Sequence, residues 1–219
     1  MCDEHAHVLE NDFALFSNPA RIIIAGASNT GKSHITQELI KRHHHKFQHI
    51  AICGTKAHPL QSDSEIKAKL TLSEDIIDPE EIKYHKTDSV LYILDDLYVQ
   101  ALQNEVVSNV FTKGRHKKIS TIFITQNLFP KGKFARDVSL NATHFILTRM
   151  RDLSAIEILG RQLFGSKHAK NFLEAYNRAM SLRKFSYILV DLDVSTPSSL
   201  QLRTNILGEE ECEIVYQWG

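Results

Sequence analysis

Three short stretches of this sequence carry residue types that could act on a phosphate. Gly26-Ala27-Ser28-Asn29-Thr30-Gly31-Lys32-Ser33 fits G-x-x-x-x-G-K-[ST]. Its two glycines let the backbone curl until successive N–H groups face an anion, and the start of a helix adds positive potential. Lys32 would reach the β- and γ-phosphates of a nucleoside triphosphate, and the Ser33 hydroxyl would ligate Mg²⁺. The second stretch, Val90-Leu91-Tyr92-Ile93-Leu94-Asp95-Asp96, is an apolar run ending in two carboxylates. Asp95 would hold Mg²⁺, and Asp96 could orient or deprotonate an attacking water. The plain alternative is an acid that starts a turn; the phosphate loop favours the chemical reading. The third, Ile119 to Thr125, is apolar and ends in Gln126, whose amide could bond a γ-phosphate or the lytic water, or could be a solvated loop residue.

These residues need elements that bring them together. Arg21 to Ala25 reads as a buried strand, and Lys32 to His45 as a helix with apolar positions at Ile35, Leu39 and Ile40. Strands are expected at His49–Cys53, Val90–Leu94, Ile119–Thr125, His144–Leu147 and Tyr187–Asp191. Helices are expected over 99–112, 132–140, 153–164 and 169–182, with Leu159, Leu163, Phe172 and Tyr176 in the core. Residues 54–88 give no clear signal. Alternating strands and helices predict right-handed crossovers and a mostly parallel sheet, with ligands beyond the carboxyl ends of its strands. A strand lies in sequence between the phosphate-loop strand and the acidic strand, and a polar-tipped strand follows; this order points to the additional-strand NTPases. The organisation expected is an arm over 1–20, one domain over 21–206 and a tail over 207–219.

Composition sets limits. The 219 residues suit one α/β domain. Lys+Arg and Asp+Glu are both 26, so no global basic field announces nucleic acid, although a local patch is compatible with that balance. No apolar run approaches a membrane span, and the polar, acidic start at Met1–His5 does not read as a secretory signal. Cys2, Cys53 and Cys212 form no CxxC pair, which argues against a zinc site or a disulfide framework and for a reducing intracellular setting. His43-His44-His45 point in different directions on a helix, so a cationic helix end is a better reading than a chelate.

The phosphate loop, Leu94-Asp95-Asp96 and above all Ser120-Thr121-Ile122-Phe123-Ile124-Thr125-Gln126-Asn127-Leu128-Phe129-Pro130-Lys131-Gly132 resemble the poxvirus-type genome-packaging ATPases of the FtsK–HerA superfamily. The runs 135–141, Arg161-Gln162-Leu163-Phe164 and Leu202-Arg203-Thr204-Asn205-Ile206 resemble the Polinton-type branch, so the similarity spans about 22–206. The resemblance implies an α/β, RecA-like P-loop NTPase of the additional-strand type, its mostly parallel central sheet flanked by helices. It implies ATP and Mg²⁺ as ligands, and hydrolysis coupled to pumping double-stranded DNA into a preformed capsid without sequence preference. It implies a homo-oligomeric ring of six subunits, contact with capsid or portal-vertex proteins, and action in the host cytoplasm or nucleus where virions assemble. It assigns Gly26 to Ser33 to the nucleotide, Ser33 and Asp95 to the metal, Asp96 to water activation and Gln126 to sensing. Many members carry Glu where this chain has Asp96, one methylene shorter.

Ring motors of this kind place an arginine from a neighbouring subunit at the transition state. Arg115 is the first candidate, and Arg149 and Arg151 come next; a surface arginine is the alternative for each. Lys113, Arg115, Lys117, Lys118, Lys131, Lys133 and Arg136 occur with no acid between them, either as a solvated face or as a surface for the phosphate backbone. Two other classes stay open: a nucleotide-dependent switch, and a small-molecule kinase with a P-loop fold. A GTPase would be expected to show Asn-Lys-x-Asp, which is absent from the sequence.

Overall fold

The computed structural model describes residues 2–6, 15–16, 18–207 and 213–218. In chain order the elements are β1 (Cys2–Ala6), β2 (Arg21–Ala25), α1 (Lys32–His43), β3 (His49–Cys53), α2 (Ser64–Lys67), β4 (Leu70–Ser73), β5 (Val90–Leu94), α3 (Tyr98–Ala101), α4 (Glu105–Lys113), β6 (Ile119–Thr125), α5 (Ala135–Asn141), β7 (His144–Leu147), α6 (Leu153–Leu182), β8 (Ile188–Asp191), β9 (Leu202–Thr204) and β10 (Ile214–Trp218). The strands form one sheet in the order β1-β10-β9-β8-β7-β2-β6-β5-β3-β4. From β7 to β4 all neighbours are parallel; beyond β7 every pairing is antiparallel.

The side-chain alternation of each central strand divides the apolar residues into two cores. Ile23, Ala25, Tyr92, Leu94 and Phe123 face one side, where they meet Val107 and Phe111 of α4, Val138 of α5 and Ile156, Leu159, Phe172 and Tyr176 of α6. Ile22, Ile24, Leu91, Ile93, Ile122 and Ile124 face the other, against Ile35, Leu39 and Ile40 of α1. Strands covered on both faces favour apolar side chains on both, which is why β2, β5 and β6 read as largely apolar runs; Ser120, Thr121 and Thr125 are the buried polar positions of β6.

Several expectations need correction. The helix expected over 32–45 ends at His43, and a 3₁₀ turn follows at His44–Lys46. The helix expected over 99–112 is two, because Asn104 takes an extended backbone and its side chain accepts from Val106 N at 2.8 Å, starting α4 afresh. The helix expected from Gly132 begins at Ala135. Residues 54–88 contain α2 and β4, the latter a parallel edge strand on β3; Leu70-Thr71-Leu72-Ser73 is short and only half-buried, so its pattern is faint. α6 breaks at Gly165, φ 78° and ψ 166°, which keeps the two helices expected there distinct. Of the arm and tail, Cys2–Ala6 and Ile214–Trp218 pair with each other and lengthen the sheet at its antiparallel edge.

Candidate active site

β2 delivers the chain to Gly26 at the carboxyl edge of the sheet, and the loop that follows is hung from both neighbouring strands. Gly26 N donates to Thr125 O of β6 at 3.2 Å, and Ala27 N to Arg149 O beyond β7 at 2.9 Å. A Cβ on Gly26 would lie 1.8 Å from Thr148 Oγ1, so any other residue here would have to displace the Thr148 hydroxyl. The Thr148 and Thr30 hydroxyls lie 2.6 Å apart, and Thr30 Oγ1 donates to Ala27 O at 2.7 Å. Tyr176 of α6 braces the same corner, donating to Thr148 O at 3.0 Å and accepting from Met150 N at 2.7 Å. The loop turns into α1 through Asn29 and Gly31, with φ of 61° and 98°.

Lys32 opens α1, and its ammonium donates to the Gly26 and Ala27 carbonyls, both at 2.8 Å, so it sits in the mouth of the loop. Burial pulls its pKa below the usual lysine range, against the charges of Asp95 and Asp96, which raise it. Ser33 is exposed beside it. Among the described residues no side chain caps the start of α1, and its first turn holds no acid. The turn's orphan N–H groups therefore suit an anion from outside the chain.

Asp95 and Asp96 directly follow β5, which is separated from β2 by β6 alone. Burial and the neighbouring Asp96 charge push the Asp95 carboxyl above the usual carboxylate range, with Lys32 acting the other way. A partly buried carboxylate held beside a second one is a donor that a divalent cation would relieve, and with the Ser33 hydroxyl it makes an all-oxygen set that fits Mg²⁺. Asp96 is exposed in the left-handed region, φ 56°. Gly54, directly after β3, places Asp95: its φ is 108°, a Cβ there would fall 1.9 Å from Asp95 O, and Asp95 N donates to Cys53 O at 2.9 Å.

Gln126, at the tip of β6, accepts from Ser28 Oγ of the phosphate loop at 3.2 Å. Together they line a cavity of about 360 Å³ with Asn127, Arg151 and Asp152. The fold thus brings Gly26 to Ser33, Asp95, Asp96 and Gln126 to one edge. Arg115 is elsewhere. It lies in the turn before β6, exposed, at the opposite end of that strand from Gln126. Seven extended residues at about 3.3 Å each put roughly 20 Å between the two ends. Arg149 is held by the chain itself, donating to Met180 O at 2.8 Å. The basic run is cut in two by β6: Lys113, Arg115, Lys117 and Lys118 lie at its amino end, and Lys131, Lys133 and Arg136 beyond its carboxyl end. His43 is buried edge-on against Phe16 while His44 approaches Glu65 at 3.9 Å, so the histidines diverge. Among the described residues no group of three or more His, Cys, Asp or Glu is placed to hold a metal.

The sequence does not single out Thr148 or Gly54, and it marks Tyr176 only as a core residue, which it is, without the bracing role of its hydroxyl. A glycine directly after a buried strand was a usable signal of close backbone approach. Nothing local marks Thr148 or the Tyr176 hydroxyl.

The family model described as "Poxvirus A32 protein" matches residues 10–191. No curated protein matches. Among solved structures, the chain is similar to the genome packaging NTPase B204 of Sulfolobus turreted icosahedral virus 2 in complex with AMPPCP, at 14% identity and TM-score 0.56, covering 81% of this chain and 95% of that one. The complex of the same protein with ATP-gammaS gives 17%, 0.55, 85% and 97%. The pCW3 conjugation coupling protein TcpA gives 13% and 0.53, with coverage of 81% and 58%. At these identities the likeness establishes a shared fold.

Proposed function

The chain belongs to the poxvirus A32 protein family, and on that basis we propose that it is an ATP-hydrolysing motor that moves viral double-stranded DNA into a preformed capsid. The observation that carries the reading is the meeting of the Gly26–Ser33 loop with Asp95, Asp96 and Gln126 across β2, β6 and β5. This sheet order, with β6 inserted between the phosphate-loop strand and the acidic strand, is that of the additional-strand NTPases.

In this reading the loop N–H groups and Lys32 hold the triphosphate, and Ser33 and Asp95 hold Mg²⁺. The ion, when bound, neutralises charge on the β- and γ-phosphate oxygens. Asp96 accepts a proton from the attacking water or orients it. Gln126, tied to Ser28, registers whether the γ-phosphate is present. Arg115 cannot reach the phosphate loop of its own chain, so its catalytic use requires a neighbouring subunit, and a ring, six-membered in this proposal, supplies one. The capsid or portal vertex, and assembly in the host cytoplasm or nucleus, complete the proposal. Among the described residues no helix is long and apolar enough to cross a membrane. A small-molecule kinase would need a pair of arginines able to close on a phosphoryl group, and the tether of Arg149 to Met180 O speaks against it.

The test is phosphate release from ATP with and without linear double-stranded DNA. DNA should stimulate hydrolysis, less so as salt rises, and Lys32→Ala should abolish it in a folded chain. Hydrolysis indifferent to DNA would reject the motor, and hydrolysis by Lys32→Ala would reject the site.

A further inference from the structure

The connection from α6 to β8 carries an aromatic side chain to the phosphate loop. Phe185 is 47% exposed, unlike the phenylalanines of the two cores. Its position is set by Gly31: a Cβ built on that glycine would lie 3.3 Å from Phe185 Cβ and 3.4 Å from Cδ1. The edge of the ring therefore rests on the residue that turns the phosphate loop into α1. The Lys184 ammonium sits over the ring, 5.3 Å from its centroid. Phe185 also lines a cavity of about 440 Å³ together with Asn29, Gly31, Lys32, Ser33 and His34. Pockets of a few hundred Å³ suit small ligands, and this one continues from the phosphate-binding residues along the first turn of α1.

A phenylalanine left half in water at such a place is unpaired apolar surface. One edge lies against Gly31 and the Lys184 ammonium stands over the ring, while the residue stays 47% exposed and lines the cavity beside Lys32. We propose that Phe185 is the platform on which the nucleobase of the bound nucleotide stacks, so that the loop anchors the triphosphate and the α6–β8 connection anchors the base. This rests on the nucleotide reading of the loop and adds a second contact to it. Stacking on an aromatic face is tolerant of base identity, because every base has a π-face. Phe185 therefore supplies affinity for a nucleoside and little choice between adenine and guanine.

The experiment is a set of calorimetric titrations of the full chain with ATP, GTP and inorganic tripolyphosphate, which has the phosphates and no base. For Phe185→Ala and Phe185→Leu the Kd for ATP should rise about five- to a hundredfold, the range measured for loss of one stacking contact. GTP should weaken in parallel, and tripolyphosphate should be unaffected. Phe185→Trp should stay within a few-fold of the original for all three. Leu fills the space over Gly31 without a π-face, so its failure to rescue separates stacking from packing. Unchanged ATP affinity in Phe185→Ala overturns the proposal. So does an equal loss for tripolyphosphate, which would make the ring a prop for the loop, and so does a loss seen with His34→Ala in its place. A wild-type chain that bound no tripolyphosphate would instead overturn the phosphate-loop reading itself.

Discussion

Replacing Gly54 by alanine tests whether the end of β3 holds Asp95, the carboxylate proposed for Mg²⁺, in place. The added Cβ would stand 1.9 Å from the Asp95 carbonyl oxygen and 3.0 Å from its carbon. An ordinary carbon–oxygen contact is about 3.3 Å, so one side must move by about 1.4 Å. The Gly54 side is poorly placed to yield, because Gly54 N and Thr55 N both donate to Ser73 O of β4, at 2.7 and 3.0 Å. Alanine at φ 108° also carries backbone strain of roughly 1–3 kcal/mol. That strain is smaller than the roughly 5–15 kcal/mol that typically holds a domain together, and the clash is relieved by moving Asp95, so the expected variant is folded with a displaced carboxylate. Displacing a positioned group by about 1 Å can cost 10²-fold in turnover. The expectation is therefore a kcat about a hundredfold lower, with ATP affinity nearly kept because the phosphate loop is untouched. Urea unfolding, nucleotide titration and phosphate release measure the three quantities. A folded Gly54→Ala chain with unchanged turnover would refute the reasoning, and loss of nucleotide binding in step with turnover would mean that the damage reaches β2.

Asp96→Asn should leave ATP binding nearly intact and slow hydrolysis by about 10²- to 10⁴-fold, the range general-base catalysis supplies; loss of binding in a nucleotide titration would make Asp96 a metal or structural group. Asp191→Asn should cost about 3 kcal/mol in urea unfolding, the low end for removing one partner of a buried pair. Arg203 is 1% exposed and bonds Asp191 Oδ2 at 2.6 Å, while Glu213 at 3.1 Å retains its other amino group. The same change should flatten the acid limb of stability. Burial alone would raise the Asp191 pKa, but the His144 imidazole and the Arg203 guanidinium hold it below the usual carboxylate range. Its contribution is thus complete above the unfolded pKa and disappears as pH falls through the lower folded value; an unchanged acid limb in Asp191→Asn would contradict this.

The candidate site was largely legible because the chemistry it would perform depends on contiguous residues. The phosphate loop works through successive N–H groups, so Gly26 to Ser33 appear as one string. Strands β2, β5 and β6 were legible because both their faces are covered, which favours apolar side chains at most of their positions. What escaped is set by tertiary contact. β4 is an edge strand whose half-buried pattern is weak. β9 and β10 depend on antiparallel partners and on charges such as Arg203, which a hydrophobic pattern treats as exposed although here it is fully buried. Thr148 acts through a hydroxyl that meets Thr30 of a loop more than a hundred residues away in sequence, and Tyr176 through one that bonds Thr148 O and Met150 N behind it.

Arg115 shows where the reading of one chain stops and how the fold extends it. β6 carries Gln126 at the phosphate edge and the Arg115 turn at the other end, and every residue of the strand between them is buried. A strand hydrogen-bonded on both sides transmits displacement along its axis better than a loop would, since neither β2 nor β5 can let it slide without breaking parallel ladders. In the proposed ring, Gln126 senses the γ-phosphate of its own subunit, while Arg115 faces the next. The two groups that report and promote hydrolysis would then be fixed to the ends of a single rod. In such a ring the state of one site would bear on the arginine offered to its neighbour. The division of the basic run follows from the same geometry: one cluster travels with the arginine end, and the other lies beside the sensor.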